Sequence, residues 1–417
     1  MTVDTNIVLL SRVVHRHLVD EAGDRIGRIE DVVIRLGDVA HPPIVGLVVR
    51  FAGRDLFVPD RKIGSFAERE IPFLGKRVDL RRFERREGEI LLARDLLTRN
   101  LINFVGGKLI RAHDVILAES DGTWSVVGVD PARPGLAGKL FSRGETHRVV
   151  DFASIEPFVG HVPTAKLRIP YRKLAKLHPA QIADLVEAAS HDEGEEIIEA
   201  VGEDAELEAD VFEELDMTHQ VEFLEGRSDE EAARILDRMA SDDAADLLLE
   251  IDQERRIPVL AFLEPTQQSK VKSLLSYNSE TAGGLMSPDF VAVAVSGDVA
   301  SALEAVRDSS APSAALNVVY ATDEAGHLLG SVALATLVRS VGNLALSEVI
   351  GDEPSHVHPT WDLHSTARLM SDFNLTVAPV VDEEHKTILG VVTIDDLVEQ
   401  LLPQGWRREF GMSRVEE

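Results

Sequence analysis

The 417-residue chain contains no cysteine. Disulfides, zinc–thiolate sites, iron–sulfur clusters and cysteine nucleophiles are therefore excluded. No uninterrupted apolar run approaches the ~18 residues of a membrane-spanning helix, and stretches such as Phe290–Val295 are only of strand length. The opening residues, Met1 to Asn6, lack the basic and apolar regions of a secretion signal, so a cytoplasmic protein is expected. Positive charge is scarce, with 43 Lys and Arg against 72 Asp and Glu for a net charge of −29. That balance argues against nucleic acid and against anionic membrane as general partners, and for tolerance of cations. The P-loop, Gly-x-Ser-x-Gly, His-Glu-x-x-His and dinucleotide-binding fingerprints are also missing, and no enzyme is expected.

What is present reads as a multidomain α+β chain. Residues 8–150 are β in character, with short Val, Ile and Leu runs broken by Gly, Asp and Pro. Residues 151–170 read as a linker with a short ordered piece, and helical periodicity runs from Tyr171 to Ser276. Residues 277–403 hold two β-α-β-β-α units (286–345 and 346–403), and 404–417 form a tail.

The β region repeats at an offset of 83. Gly23, Arg25, Ile26, Arg28, Asp31, Val32, Val33 and Ile34 fall on Gly106, Lys108, Leu109, Arg111, Asp114, Val115, Ile116 and Leu117. The pattern of turn, strand, strand suits a small barrel made twice. Gly23–Val32 resembles the Gly-x-x-[Ile/Leu]-Gly-x-[Ile/Val]-x-Asp-[Ile/Val] stretch of the PRC-barrel family, although Ile110 stands where the first copy has Gly27. That resemblance implies a binding surface and no catalysis. His15, His17, His41 and His113 are scattered, and Arg81, Arg82, Arg85 and Arg86 read as a solvated rim or docking patch. Without interleaved aromatics they do not read as a nucleic-acid site.

Between residues 181 and 260 there are 27 acidic residues against 5 basic. His178–Val186 resembles Met239–Leu248, and units of about 30 residues built from helix pairs read as a short superhelical stack. Its focus is Ser241-Asp-Asp-Ala-Ala-Asp246, with Ser241 as the expected N-cap and Asp242 and Asp243 in the first turn. Asp242 and Asp246, four apart, share a face and repel. Taken alone, this is either an acidic solvated face or a hard-cation site completed by oxygens from elsewhere.

Tyr277–Val293, with its Ala282-Gly-Gly-Leu-Met-Ser287 core, ends the helices and begins a strand. Beyond it, Asp323–Val332 pairs with Asp382–Val391 at an offset of about 60. The two units resemble a tandem pair of CBS domains. Residues 171–402 are similar to the cytosolic half of MgtE-type magnesium transporters, whose junction motif Tyr-x-x-x-x-Ala-Gly-x-Leu-Met-[Ser/Thr]-x-[Asp/Glu]-[Phe/Tyr]-Val-Ala-Val is matched by Tyr277–Val293. The resemblance implies Mg²⁺ (or Mn²⁺) bridging of acidic positions between the helical domain and the CBS pair. Carried over by motif, the ligands are Asp210, Asp242, Asp243, Asp246, Asp362 and Asp396. His364 and Asn374 stand where family members tend to have carboxylates.

The family's five membrane helices should begin just after the second unit, but the chain ends at Glu417. The expectation is a sensor module acting on a separate membrane transporter and peripheral to the inner membrane face through it, with a homodimer formed through the CBS helices. CBS pairs also bind adenine nucleotides such as ATP or AMP. Thr393 and Asp396 supply a hydroxyl–carboxylate pair for that role, whereas the first unit has Ala333 and Thr336. An adenylate-sensing adaptor without a metal switch is therefore the alternative.

Overall fold

The computed structural model describes residues 6–402 except 38, 121, 132–148, 159–170, 352–353, 383 and 385. Most of the expected linker and the 404–417 tail lie outside the described residues. The chain divides into two compact units, residues 1–214 and 215–417.

Among the described residues the first unit opens with thirteen strands: β1 (Ile7–Leu9), β2 (His17–Val19), β3 (Arg25–Arg35), β4 (Ile44–Phe51), β5 (Arg54–Pro59), β6 (Ile71–Pro72), β7 (Glu89–Leu91), β8 (Asn100–Asn103), β9 (Lys108–Arg111), β10 (Asp114–Ser120), β11 (Thr123–Asp130), β12 (Val150–Asp151) and β13 (Ile155–Pro157). They pair in the orders β5-β4-β3-β2-β6, with β7 also on β3, then β1-β10-β11-β12 and β13-β8-β9. Among the described residues these orders do not close on themselves. One apolar core serves both repeats, running from Leu10, Leu18 and Ile29 to Leu117, Trp124 and Ile155. Residues 150–151 and 155–157 are strand-paired on either side of the turn Phe152–Ser154, and Phe152 and Ile155 reach into that core.

The repeats complete each other. β7, which leads into the second copy, pairs with β3 of the first, while β1, which leads into the first copy, pairs with β10 of the second. The equivalent aspartates follow the same exchange. Buried Asp31 accepts from the backbone N–H groups of Ala93 (2.8 Å) and Arg94 (3.0 Å) in the π-helical turn Leu92–Leu96. Asp114 accepts from Ser11 N at 3.0 Å, in the turn Leu10–Arg12, 83 residues before Arg94. Each Asp is kept by the repeat because it caps the other copy's entry turn. Burial pushes the Asp31 carboxyl up to about 6 against the pull of its backbone donors. Its folded value thus lies above the unfolded one, and the associated stability is full below about 3.8 and lost as pH rises through about 6.

Asp31→Ala would remove the acceptor of three backbone N–H groups, that of Val32 buried and those of Ala93 and Arg94 partly so, and is expected to cost ~3 kcal/mol. Asp114→Ala, whose Ser11 partner is exposed, should cost about 1 kcal/mol. Urea unfolding of the two variants measures this, and equal losses would contradict the unequal burial.

Among the described residues the helices α1 (Tyr171–Leu174), α2 (Pro179–Ala188), α3 (His191–Val201) and α4 (Ala205–Glu214) follow. His178 and Gln181 form a capping box at the start of α2. The helices dock on the second repeat: Asn100 Nδ2 donates to Glu193 at 2.9 Å, and Lys173 pairs with Glu156 and lies 5.5 Å from the centroid of the Phe104 ring.

The second unit begins with α5 (Met217–Glu225), α6 (Asp229–Leu236), α7 (Ser241–Glu250), α8 (Gln253–Phe262) and α9 (Pro265–Leu274). Each packs on its neighbour after next, α5 on α7, α6 on α8 and α7 on α9, the pattern of a helical stack. After the short α10 (Ala282–Leu285) come two similar units. The first has β14 (Val291–Ala294), α11 (Val299–Asp308), β15 (Val318–Thr322), β16 (Leu328–Ala333) and α12 (Leu334–Arg339). The second has α13 (Leu363–Phe373), β17 (Val377–Asp382), β18 (Thr387–Thr393) and α14 (Ile394–Leu401), with Val357 bridging β17 in parallel as β14 does β15. Tyr320, Leu328, Val377, Val381 and Val391 share one apolar cluster between the two units.

The paired glycines of the repeat have one steric reason. A Cβ on Gly390 would stand 2.6 Å from Ser287 O, and one on Gly330 would stand 2.6 Å from Gly351 O, where in each unit an incoming segment lies against the strand.

Candidate functional site

The stretch Thr281–Asp289 ties the helical stack to the second CBS-like unit. On one side, Ala282 N donates to Trp361 O (2.8 Å), Gly283 N donates to Pro359 O (2.9 Å), and Thr281 bridges Asp362. Ser287 and Val391 exchange two backbone bonds at 2.8 and 2.9 Å, so the stretch extends the sheet at β18. On the other side, Asp289 forms an ion pair with Lys270 of α9 and accepts from Ser241 Oγ at 3.2 Å.

Ser241 is the first residue of α7 and not its cap; Ala240 holds the cap position. The expected N-cap is thus corrected. The Ser241 hydroxyl is buried and directed at Gln267 Oε1 (3.0 Å) and Asp289 instead of the third-residue N–H. Gln267 in turn donates to the carbonyls of Leu236 and Met239, both at 3.0 Å, closing the end of α6 over the start of α7. Four residues absent from the expected ligand set, Ser241, Gln267, Lys270 and Asp289, therefore make the joint. Only Asp289 had a sequence signal, as the acidic position of the junction motif.

The expected ligands sit as follows. Asp242 is buried in the first turn of α7, Asp243 is exposed beside it, and Asp246 is half-buried one turn on. Burial, and then the Glu250 charge, push the Asp246 carboxyl up to about 6. Asp362 is exposed and caps α13, accepting from Ser365 N at 2.7 Å, which lowers its pKa. Asp396 lies in the first turn of α14, hydrogen-bonded by the hydroxyl of buried Thr393. Burial raises its pKa, the Thr393 bond opposes this, and neighbouring Asp395 adds to the rise. Asp210 belongs to the first unit, on α4, its pKa raised by burial and then by Glu206, Asp204 and Glu214.

The fold therefore collects Asp242, Asp243 and Asp246 on one helix, brings Asp362 to the junction, and places Asp396 just beyond the strand that the junction extends. Among the described residues, none of the six belongs to a group of three acidic or histidine ligand atoms within 4.8 Å. Asn374, where a carboxylate was expected from the resemblance, ends α13 in the left-handed conformation (φ 52°), which Asn tolerates well. His356 and His358 each bond locally, to Pro354 O at 3.3 Å and to Thr360 Oγ1 at 2.7 Å.

The family profile for the MgtE intracellular N domain matches residues 177–280, the helical stack up to the junction. This part of the chain is similar to MgtE intracellular N domains. The CBS-domain profile matches residues 346–403, and the first unit repeats that architecture. The chain is 33% identical over 165 residues to magnesium transporter MgtE of Thermus thermophilus, covering 38% of this chain and 36% of that one. With its Enterococcus faecalis counterpart it shares 29% identity over 151 residues, 36% of this chain and 33% of that one. It thus spans about a third of the length of these relatives. Among solved structures, the cytosolic domain of the Mg²⁺ channel MgtE in complex with ATP aligns with a TM-score of 0.51 at 28% identity, covering 56% of this chain and 93% of that one. The soluble part of a magnesium transporter shares the fold, with a TM-score of 0.51 at 24% identity over 55% of this chain and 90% of that one. Among the described residues no helix is long and apolar enough to cross a membrane.

Proposed function

We propose that the chain is a Mg²⁺-responsive regulatory protein in which divalent cations hold the acidic MgtE N domain against the CBS pair. The observation that carries the reading is the joint itself. Ser241 opens the helix bearing Asp242, Asp243 and Asp246, and its hydroxyl meets Asp289 of the stretch that bridges Asp362 through Thr281 and pairs with β18, the strand that leads to Asp396. Like charges ~6–8 Å apart repel by roughly 2 kcal/mol each at an effective dielectric of 20, comparable to coupling energies of about 1–3 kcal/mol. Mg²⁺ keeps most of its waters and binds through one or two carboxylates, so a dense ligand cluster is not required. Cations screening this repulsion favour the closed state, and their loss favours opening. The output is passed to a separate membrane transporter.

The CBS helices support a homodimer. Ile394, Val398 and Leu401 form an exposed apolar stripe on α14. Trp361, Leu369 and Phe373 line an open groove of about 440 Å³ beside α13. The Thr393–Asp396 pair supports ATP or AMP as a second ligand. Asp396 cannot serve nucleotide and cation independently, so the two ligands are coupled. The barrel-like module, which resembles a PRC barrel, contributes a binding surface and no chemistry.

Limited proteolysis of the full chain, titrated separately with Mg²⁺ and with ATP, tests the reading. Protection of residues 215–290 by Mg²⁺ alone is expected. Protection by ATP alone would favour an adenylate-sensing adaptor.

A further inference from the structure

Residues 73–86 form a loop pinned to the first repeat with two leucines held outward. Phe73 is buried, Val78 packs on the core, and Phe83 stacks on Phe57 with ring centroids 6.0 Å apart. Backbone bonds from Leu74 N to Lys62 O (2.9 Å) and from Phe83 N to Asp55 O (2.7 Å) fix its ends, and Lys62 Nζ donates to Arg77 O (3.0 Å) between them. Leu74 and Leu80 are each 62% exposed between these anchors. Around them stand Lys76, Arg77, Arg81, Arg82, Arg85 and Arg86 against Asp79 and Glu84. Arg85 is committed to buried Asp95, and Arg81 grips Asp79. Lys76, Arg77 and Arg82 are exposed. On a chain of net charge −29 this segment runs against the sign of the whole.

We propose that this loop docks the chain directly on an anionic membrane surface. In this arrangement Leu74 and Leu80 enter the boundary between headgroups and acyl chains, while Lys76, Arg77 and Arg82 meet lipid phosphates. Two leucines held outward among cations fit a surface offering negative charge and apolar depth together. An acidic protein face supplies the charge alone. The strongly negative remainder is repelled by the same surface, so it also sets the orientation of docking. The contact needs no partner protein and is independent of the cation switch.

The test is co-sedimentation of the full chain with vesicles of phosphatidylglycerol and phosphatidylcholine, and with pure phosphatidylcholine. Binding to the anionic vesicles only, weakening as salt rises, is expected. The pairs Leu74→Ser with Leu80→Ser, and Arg77→Glu with Arg82→Glu, should each lower the bound fraction roughly tenfold. Their thermal unfolding should stay unchanged, because all four side chains are exposed. Equal binding to neutral vesicles, or none to either, overturns the proposal. So does salt-sensitive self-association abolished by the same charge reversals, which would assign the loop to the acidic helices of a second copy.

Discussion

Replacing Gly284 by alanine is expected to detach the helical stack from the CBS pair at a cost of ~3–4 kcal/mol. A Cβ there would stand 2.3 Å from Asn278 O and 2.5 Å from Ser279 Cα. Both are backbone atoms of the same tight turn and cannot rotate away, so the junction must unwind locally. The amides that report this are Ala282 and Gly283, whose bonds to Trp361 O and Pro359 O tie the junction to the second CBS unit. Their hydrogen exchange should accelerate by two orders of magnitude or more, roughly the equivalent of 3 kcal/mol. Gly226→Ala is the control, because a Cβ there meets nothing within 4 Å. Unchanged exchange in the Gly284 variant would show that the junction is not held by this close approach.

The second large effect is expected at α7. Neutralising Asp242 and Asp246 together (Asp242→Asn, Asp246→Asn) removes two of the proposed cation-binding carboxylates from the helix that Ser241 opens. The Mg²⁺ concentration giving half-maximal protection should then rise tenfold or more, taking a coupling of about 1–3 kcal/mol. Asp246 adds a pH signature. Its carboxyl ionises near pH 6 in the fold, so on going from about pH 7.5 to about 5.5 only about a quarter remains charged, and the midpoint should rise roughly fourfold. Without Mg²⁺ the linkage runs the other way: the folded value lies above the unfolded one, so stability from this group is full below about 3.8 and lost as pH rises through about 6. Acid therefore relaxes the bare helix while weakening its hold on cations. Asp246→Asn alone should abolish both trends, and a variant that kept the fourfold shift would place the titration elsewhere.

How much of this was legible in the sequence follows from what each signal reports. The repeated Asp31 and Asp114 were visible as an alignment, but periodicity carries no information on which copy a strand pairs with. The exchange of β1 and β7 between the repeats therefore emerged only in three dimensions. The junction motif placed Gly283 and Gly284 where the helices end, and the backbone atoms that crowd them show why glycine stands there. Ser241 was misread because a serine before an acidic helix is usually a cap. Here it lies one residue inside the helix, and its hydroxyl serves a residue 48 positions away. Gln267 and Lys270 had no local signature, since a buried amide on α9 acquires its role only from the carbonyls that the stack presents to it. The acidic density was plain, but composition cannot say which carboxylates face the joint.

In the proposed switch a divalent cation draws the acidic helices and the CBS pair together. The absence of native cysteine makes its direct measurement simple, because Gln253→Cys on α8 and Arg368→Cys on α13 can be spin-labelled without background. Pulsed electron–electron resonance with excess Mg²⁺ should give one narrow distance distribution, and chelation should broaden it and move it to longer distance. Distributions that coincide with and without Mg²⁺ would contradict the account.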